Sequence, residues 1–289
     1  MKGIILAGGS ATRLRPGSLG VSKQLMPVYD KPLIYYPLTT LMLSGIREIL
    51  LISTPHDLPQ FKRLFSNAES WGIEISFAEQ PSPGGLAEAL LIGEKFINGG
   101  EVALILGDNL FHGTGLGRQL QDAFVNPGAL IAAYHVSDPR AFGVVEFDSN
   151  GIAKSLEEKP EHPKSSWAVP GIYFYDQTAV DRAKTLKRSP RGELEITDLN
   201  RSYLSDTQLR VKTFARGTTW LDMGTPSTLL EAAEYIRALQ ERQGLLIGSP
   251  EEAAWRAGWI DDLRIVELAS ELNSTLYGQL LSNLPEEGR

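Results

Sequence analysis

Along the first hundred residues, apolar positions fall into short continuous runs separated by stretches of helical spacing. Ile4-Ile5-Leu6 runs without a polar break into the small residues Ala7-Gly8-Gly9. Glu48-Ile49-Leu50-Leu51-Ile52-Ser53 and Val102-Ala103-Leu104-Ile105-Leu106 repeat the pattern. Runs of this length suit strands buried on both faces. Ile73, Ile75 and Phe77 alternate with polar residues, as a strand with one polar face does. Between these runs the spacing predicts helices over Lys31 to Leu43 with Gly45 as the stop, from an Asp57 cap through Phe61, Leu64 and Phe65, and over about Leu86 to Phe96. The order β-α-β-α-β-α-β calls for a mostly parallel sheet covered by helices.

That regularity then breaks. Leu130 to Val136 and Phe142 to Phe147 read as strands, and Asn150-Gly151 as a hairpin turn into Ile152 to Glu158. Ala168 to Tyr175 is again strand-like, followed by helices over Ala179 to Leu186 and Glu195 to Leu204 and a strand over Leu209 to Phe214. Thr225-Pro226 is an N-cap followed by proline at the first helical position, opening a helix to about Gln243. Ser249-Pro250-Glu251-Glu252 has capping-box spacing, and Leu263 to Leu272 and Thr275 to Leu284 read as further helices. The expectation is a Rossmann-like three-layer α/β/α fold. Its mixed, mostly parallel central sheet carries an inserted antiparallel part and C-terminal helices. Residues 1–289 form one domain in this reading, with 1–224 the catalytic core and 225–289 a helical appendage.

Composition narrows the chemistry. Zero cysteines among 289 residues exclude a disulfide scaffold, a thiolate zinc site and a Cys nucleophile. The histidines, His56, His112, His135 and His162, lie far apart without metal-ligand spacing. A formal charge of −7 argues against a nucleic-acid-coating protein. A locally cationic cleft for a phosphorylated ligand is still open to an acidic chain. No apolar run approaches the roughly 20 residues of a membrane span, and Ile4 to Ala7 is too short for a signal-peptide core, so the chain reads as cytoplasmic.

The first candidate site is the stretch Gly8-Gly9-Ser10-Ala11-Thr12-Arg13-Leu14-Arg15, with Ser22-Lys23-Gln24 behind it. A strand running into a glycine turn is a ready anion site, and Arg13, Arg15 and Lys23 add positive charge. Neither G-x-x-x-x-G-K-[ST] nor G-x-G-x-x-G spacing is present, which excludes a P-loop and a dinucleotide fingerprint. Asp108 follows a buried strand at the edge where open α/β sheets bind ligands, and suits Mg²⁺ or a helix cap. Asp222 stands between an aromatic strand end and a helix start, as a second metal ligand or a turn carboxylate. Two acids on separate strand ends beside a cationic glycine loop are what phosphoryl or nucleotidyl transfer needs, because catalysis there is mainly positioning and charge neutralisation. The Gln80 amide can pair with a donor and an acceptor on a base edge, and Gly84-Gly85 permits close approach, although the stretch also reads as a plain loop. Glu158-Lys159 suits a sugar hydroxyl and a phosphate, or an edge-strand ion pair. Arg191 to Asp198 suits a polar site, or a cap with surface ion pairs.

Taken together, these blocks closely resemble the glucose-1-phosphate thymidylyltransferases of the nucleotidyltransferase superfamily over nearly the whole chain. The resemblance rests on Leu6 to Ser10 with Thr12-Arg13-Leu14, Ser22 to Pro32, Leu106-Gly107-Asp108-Asn109, Phe142 to Phe147, Glu157 to Pro160, Arg191 to Asp198 and Trp220 to Thr225. It implies Mg²⁺-dependent conversion of dTTP and α-D-glucose 1-phosphate to dTDP-glucose and pyrophosphate, by a single in-line displacement without a protein nucleophile. It further implies that Asp108 and Asp222 hold the metal and that Arg13 and Lys23 neutralise the triphosphate. Leu6, Gly8, Gly9, Gln24, Gln80 and Gly85 then line the nucleotide, and Gly143, Glu158, Lys159, Val169 and Arg191 the sugar phosphate. Use of UTP or another hexose 1-phosphate is the neighbouring alternative. A non-catalytic sugar-nucleotide sensor is the other, and the presence of all four charged groups weighs against it.

Four departures from the family pattern stand out. Ala11 replaces a usual glycine and disfavours positive φ. Arg15 and Gly17-Ser18 alter the loop tip, Phe142 replaces a frequent Tyr, and Glu88 replaces a common Gln. The resemblance also implies a homotetramer whose second nucleotide site takes a dTDP-sugar end product as inhibitor, near His112-Gly113, Arg216-Gly217 and Glu252 to Arg256.

Overall fold

The computed structural model describes residues 1–9, 11–121 and 127–288, so Ser10 of the glycine loop lies outside it. The first half comprises β1 (Lys2–Leu6), the short pair β2 (Pro27–Val28) and β3 (Lys31–Pro32), α1 (Tyr35–Leu43), β4 (Glu48–Ser53), α2 (Leu58–Leu64), β5 (Glu74–Glu79), α3 (Glu88–Ile92), α4 (Glu94–Ile97) and β6 (Val102–Leu106). Then come β7 (Asn109–His112), α5 (Leu116–Gln121), β8 (Ala129–His135), β9 (Gly143–Phe147), β10 (Ala153–Glu158), β11 (Trp167–Val169) and β12 (Ile172–Tyr175). The chain continues through α6 (Ala179–Thr185), α7 (Ile196–Ser205), β13 (Leu209–Thr213), β14 (Thr219–Asp222), α8 (Pro226–Gln243), α9 (Pro250–Arg256), α10 (Asp262–Ser270) and α11 (Leu276–Glu287).

The main sheet has the order β10-β9-β11-β8-β12-β6-β1-β4-β5, with β13 added to β8. Strands β1, β4, β5, β6, β8, β9 and β13 run one way, and β10, β11 and β12 the other. Successive side chains of a buried strand enter opposite layers. Ile5, Leu51 and Ile105 meet α1, α2 and α9 to α11 on one face, whereas Ile4, Leu50 and Leu104 meet α3, α6 and α7 on the other. This is the three-layer mixed sheet with an antiparallel insertion that the pattern implied. A smaller core joins Ala232 and Ile236 of α8 to Val28, Leu110 and Met223. No helix of the described residues is long and apolar enough to cross a membrane.

Four local expectations change. Lys31 and Pro32 pair with β2 rather than opening a helix, and α1 starts at Tyr35. The helix expected over Leu86 to Phe96 is two short ones broken at Gly93, where a Cβ would lie 2.8 Å from Ile4 Cδ1. The strand expected over Ala168 to Tyr175 is divided at Pro170-Gly171. There the Leu106 N–H donates to the Gly171 carbonyl (2.9 Å), and a Gly171 Cβ would meet Leu106 Cγ at 2.6 Å. Finally, the strand end expected before Asp222 is β14, and it pairs antiparallel, outside the main sheet, with β7, which the hydrophobic pattern did not mark. The Asn150-Gly151 hairpin is present, with Gly151 at φ 77° and the Asp148 carboxylate accepting from the Asn150 and Ile152 amides.

Candidate active site

Chain direction puts the ends of β1 and β6 side by side, because the two strands are parallel neighbours in register from Lys2 opposite Val102 to Leu6 opposite Leu106. Past β1, Gly9 turns at φ 104° and Ala11 follows at φ 42°, ψ 38°. Ala11 is therefore left-handed, the conformation its side chain was expected to resist. Its carbonyl accepts from the Ser18 hydroxyl (2.8 Å) and the Leu14 amide (3.0 Å), which over-determines the turn. Leu14 is buried, anchoring the 3-10 turn that carries Arg13.

Past β6, Gly107 packs against the Leu6 carbonyl and the Gln24 side chain, at 3.0 and 3.1 Å from the place of a Cβ. Asp108 comes next. The β7 and β14 pairing then sets Asp222 opposite Asn109, and the Met223 amide donates to the Asp108 carbonyl at 3.0 Å. Two carboxylates more than a hundred residues apart are thereby brought together. Lys23 forms an ion pair with Asp108 Oδ2. Arg13 comes near Asp222 from the loop: Arg13 Nη2 and Asp222 Oδ2 both lie within 3.5 Å of where a Gly224 Cβ would stand. Burial, and then the neighbouring Asp108 charge, push the Asp222 carboxyl up to about 6, against the pull of Lys23 and Arg13.

Asn109 is a structural partner that the sequence reading left without a role. It is 1% exposed; its Nδ2 donates to Asp108 Oδ1 (2.9 Å), and its Oδ1 accepts from Trp220 Nε1 (2.6 Å) and the Gly171 amide (3.2 Å). It fixes the Asp108 carboxylate from behind. Its position directly after Asp108, at the start of a strand, was the available signal.

A cavity of about 540 Å³ opens beside these carboxylates, lined by Arg13, Asp108, Asp222, Phe142, Gly143, Glu158, Lys159, Val169, Arg191 and Thr197 among others. The expected sugar-phosphate residues do converge there. A Cβ on Gly143 would stand 3.4 to 3.7 Å from Thr197 Oγ1, Glu158 Oε2 and Val169 Cβ. Thr197, to which no role was given beforehand, donates to Glu158 Oε2 at 2.6 Å. Lys159 sits at φ 43°, its backbone N–H donating a hydrogen bond to the Phe142 carbonyl (3.0 Å), and its ammonium lies 3.7 Å from Glu158. Arg191 Nη2 donates to both oxygens of Glu195 (2.9 Å each) and lies 3.7 Å from Glu158. Phe142 packs on Trp220, with centroids 4.9 Å apart, so the aromatic body of this departure is used although no hydroxyl is present.

The expected nucleotide residues lie on the other side of Asp108. Gln80 follows β5, with Oε1 3.1 Å from the place of a Gly8 Cβ. Gly85, at φ 98°, packs its α-carbon against the Leu194 backbone, which leaves no room for a side chain. The Leu194 amide donates to the Gly84 carbonyl (2.8 Å), so that loop is stapled to the Arg191 to Asp198 segment. Leu6 is 8% exposed; Gln24 is buried, and its Oε1 accepts from Ser22 (2.8 Å).

The donor set fits a hard divalent cation. Two facing carboxylates, Asp222 with its proton affinity raised by burial and by the Asp108 charge, supply the one or two protein oxygens that Mg²⁺ takes when phosphates and waters complete its shell. No cluster of three or more His, Cys, Asp or Glu occurs among the described residues, so a site made wholly of protein ligands is not offered there.

The chain is similar to known proteins. The Nucleotidyl transferase family profile matches residues 2–238. Glucose-1-phosphate thymidylyltransferase of Mycolicibacterium smegmatis is 55% identical, over 98% of this chain and 99% of that protein. The enzyme of the same name from Neisseria meningitidis is also 55% identical, over 98% and 99%. A crystal structure described as a glucose-1-phosphate thymidylyltransferase from Bacillus anthracis, in complex with sucrose, superposes with a TM-score of 0.76 at 35% identity, covering 82% of this chain and 95% of that one. With the glycine loop, the paired strand-end carboxylates and full-length similarity all in agreement, the chain belongs to the nucleotidyl transferase family, among the glucose-1-phosphate thymidylyltransferases.

Proposed function

We propose that the chain transfers the thymidylyl group of dTTP to α-D-glucose 1-phosphate, giving dTDP-glucose and pyrophosphate. The observation that carries this is the facing of Asp108 and Asp222 between a cationic glycine loop and a cavity lined by Glu158, Lys159 and Arg191. A triphosphate on the loop and a sugar phosphate in the cavity meet at that pair. A phosphate oxygen of the sugar phosphate attacks the α-phosphorus; the new P–O bond forms as the bond to the β-phosphate bridging oxygen breaks, and pyrophosphate leaves. Arg13 and Lys23 neutralise the triphosphate, and Lys159 holds the incoming phosphate. Glu158, oriented by Thr197, accepts from sugar hydroxyls. Mg²⁺, held by Asp108 and Asp222, supplies further charge neutralisation at the phosphates when bound. Leu6, Gly8, Gly9, Gln24, Gln80 and Gly85 form the nucleotide side, and Gly143, Val169 and Arg191 complete the sugar-phosphate side.

The product opens a dTDP-sugar route of the dTDP-rhamnose type in this reading, and the enzyme works in the cytoplasm. Residues 1–289 act as one domain, a reading supported by the core that α9 to α11 share with the sheet. A second cavity of about 260 Å³, lined by His112, Gly113, Glu252 and Arg256 among others, is our assignment for the regulatory dTDP-sugar site of a homotetramer. Gly217 closes on Gly113 there: its carbonyl is 3.3 Å from the place of a Gly113 Cβ. A pyrophosphate-release panel of nucleoside triphosphates against hexose 1-phosphates tests the function. The expected result is release that requires dTTP, glucose 1-phosphate and Mg²⁺ together. Turnover with a different pair in preference to this one would overturn the assignment.

A further inference from the structure

Gln80 is 5% exposed, and the two ends of its amide face different groups. Nε2 donates to Glu88 Oε2 at 2.8 Å, whereas Oε1 turns to Gly8 of the glycine loop. A glutamine amide can be flipped, exchanging donor for acceptor, but a carboxylate only accepts hydrogen bonds. Glu88 therefore permits one orientation of Gln80, where a glutamine at position 88 would permit both. Glu88 is itself fixed. Its Oε1 accepts from Arg188 Nη2 (2.9 Å), and Arg188 Nη1 donates to the carbonyls of Gly192 (2.7 Å) and Gly84 (3.2 Å). The Glu88 carboxylate occupies the space over Gly84 that any side chain at position 84 would need.

We propose that Glu88, held by Arg188, is a positioning residue that locks the Gln80 amide with its oxygen toward the base. The site thereby accepts bases that offer an N–H at ring position 3, thymine and uracil, and rejects cytosine, whose N3 is an acceptor. The inference rests on the reading that the base lies against Gln80.

The test is pyrophosphate release from dTTP and from dCTP at saturating glucose 1-phosphate, for the wild type and for Glu88→Gln, Arg188→Ala and Gln80→Ala. Glu88→Gln frees the flip and is expected to lower the dTTP-to-dCTP ratio of kcat/KM by about tenfold, the order of one mis-set donor–acceptor pair. The change should fall on the KM of the nucleotides and leave that of glucose 1-phosphate alone. Arg188→Ala keeps the carboxylate, so its ratio should stay within about threefold of wild type, although the loop it clamps is loosened. Equal loss for both nucleotides in Glu88→Gln, or an unchanged ratio, overturns the lock. If Gln80→Ala shifts the ratio while Glu88→Gln does not, the lock alone has failed. If Gln80→Ala leaves the ratio untouched, the placement of the base has failed with it.

Discussion

Asp222→Asn should make the metal-free protein more stable while abolishing turnover. Asp222 lies against Asp108, and folding raises its carboxyl from 3.8 to about 6, chiefly through burial and then through the Asp108 charge. A shift of about two units at 1.36 kcal/mol each corresponds to roughly 3 kcal/mol of strain in the ionised form. Asn keeps the shape and removes the charge. Because the folded-state value lies above the unfolded one, the contribution of Asp222 to stability is fully present below about pH 4 and is lost as pH rises through about 6. The gain from Asp222→Asn is therefore expected to be near zero around pH 4 and to reach about 2–3 kcal/mol at neutral pH. Urea unfolding across this range, with a chelator present, measures it directly. Adding Mg²⁺ and dTTP should then stabilise the wild type more than the variant, because ligands that bind only the folded state raise its stability by mass action. A variant no more stable than wild type at neutral pH, or a gap independent of pH, would refute the reasoning.

Other expectations concern single residues. Ala11→Gly should stabilise the fold by about 0.5–1 kcal/mol, since a left-handed alanine costs about 1–2 kcal/mol and the extra unfolded-state entropy of glycine returns only part of it; loss of stability in the same unfolding assay would contradict the observed turn. Lys159→Ala should raise the KM for glucose 1-phosphate about tenfold or more, the order of one hydrogen bond to a charged group, and spare that for dTTP. An effect confined to dTTP would move Lys159 to the other half of the site. Thr197→Val removes the hydroxyl that donates to Glu158 and should raise the same KM by about threefold to tenfold with little change in kcat. A variant with wild-type KM would show that Glu158 needs no orienting partner. Gly171→Ala should destabilise the protein by about 1–3 kcal/mol, because the new methyl meets the Leu106 side chain at 2.6 Å. An alanine variant as stable as wild type would mean that Leu106 can move aside.

Much of this architecture is local in origin and so was legible in the chain. Ile4-Ile5-Leu6 and Val102 to Leu106 are apolar on both faces, which is why they could be read as parallel neighbours whose ends carry the site. The capped start of α8 lies within a few residues, and Thr225 and Thr228 do form the reciprocal pair. The resemblance supplied the residues around the cavity, and those near Gly143, Glu158 and Lys159 do converge. Other features depend on distant partners. The strand β7 is only four residues long, and it is paired by β14 more than a hundred residues later; no periodic signal encodes that contact, yet it brings Asp222 to Asp108. At the Pro170-Gly171 break, a Cβ on Gly171 would collide with Leu106 of a neighbouring strand, so the need for glycine there is set by a residue far away in sequence. Ala11 reads against a left-handed turn on intrinsic preference, and the hydrogen bonds that the Ser18 hydroxyl and the Leu14 amide donate to its carbonyl override that preference. Short-range propensity thus laid out the layers and the strand ends. The pairing of carboxylates, the charge on Asp222 and the orientation of Gln80 came from long-range contacts, because each is a property of two groups far apart in sequence.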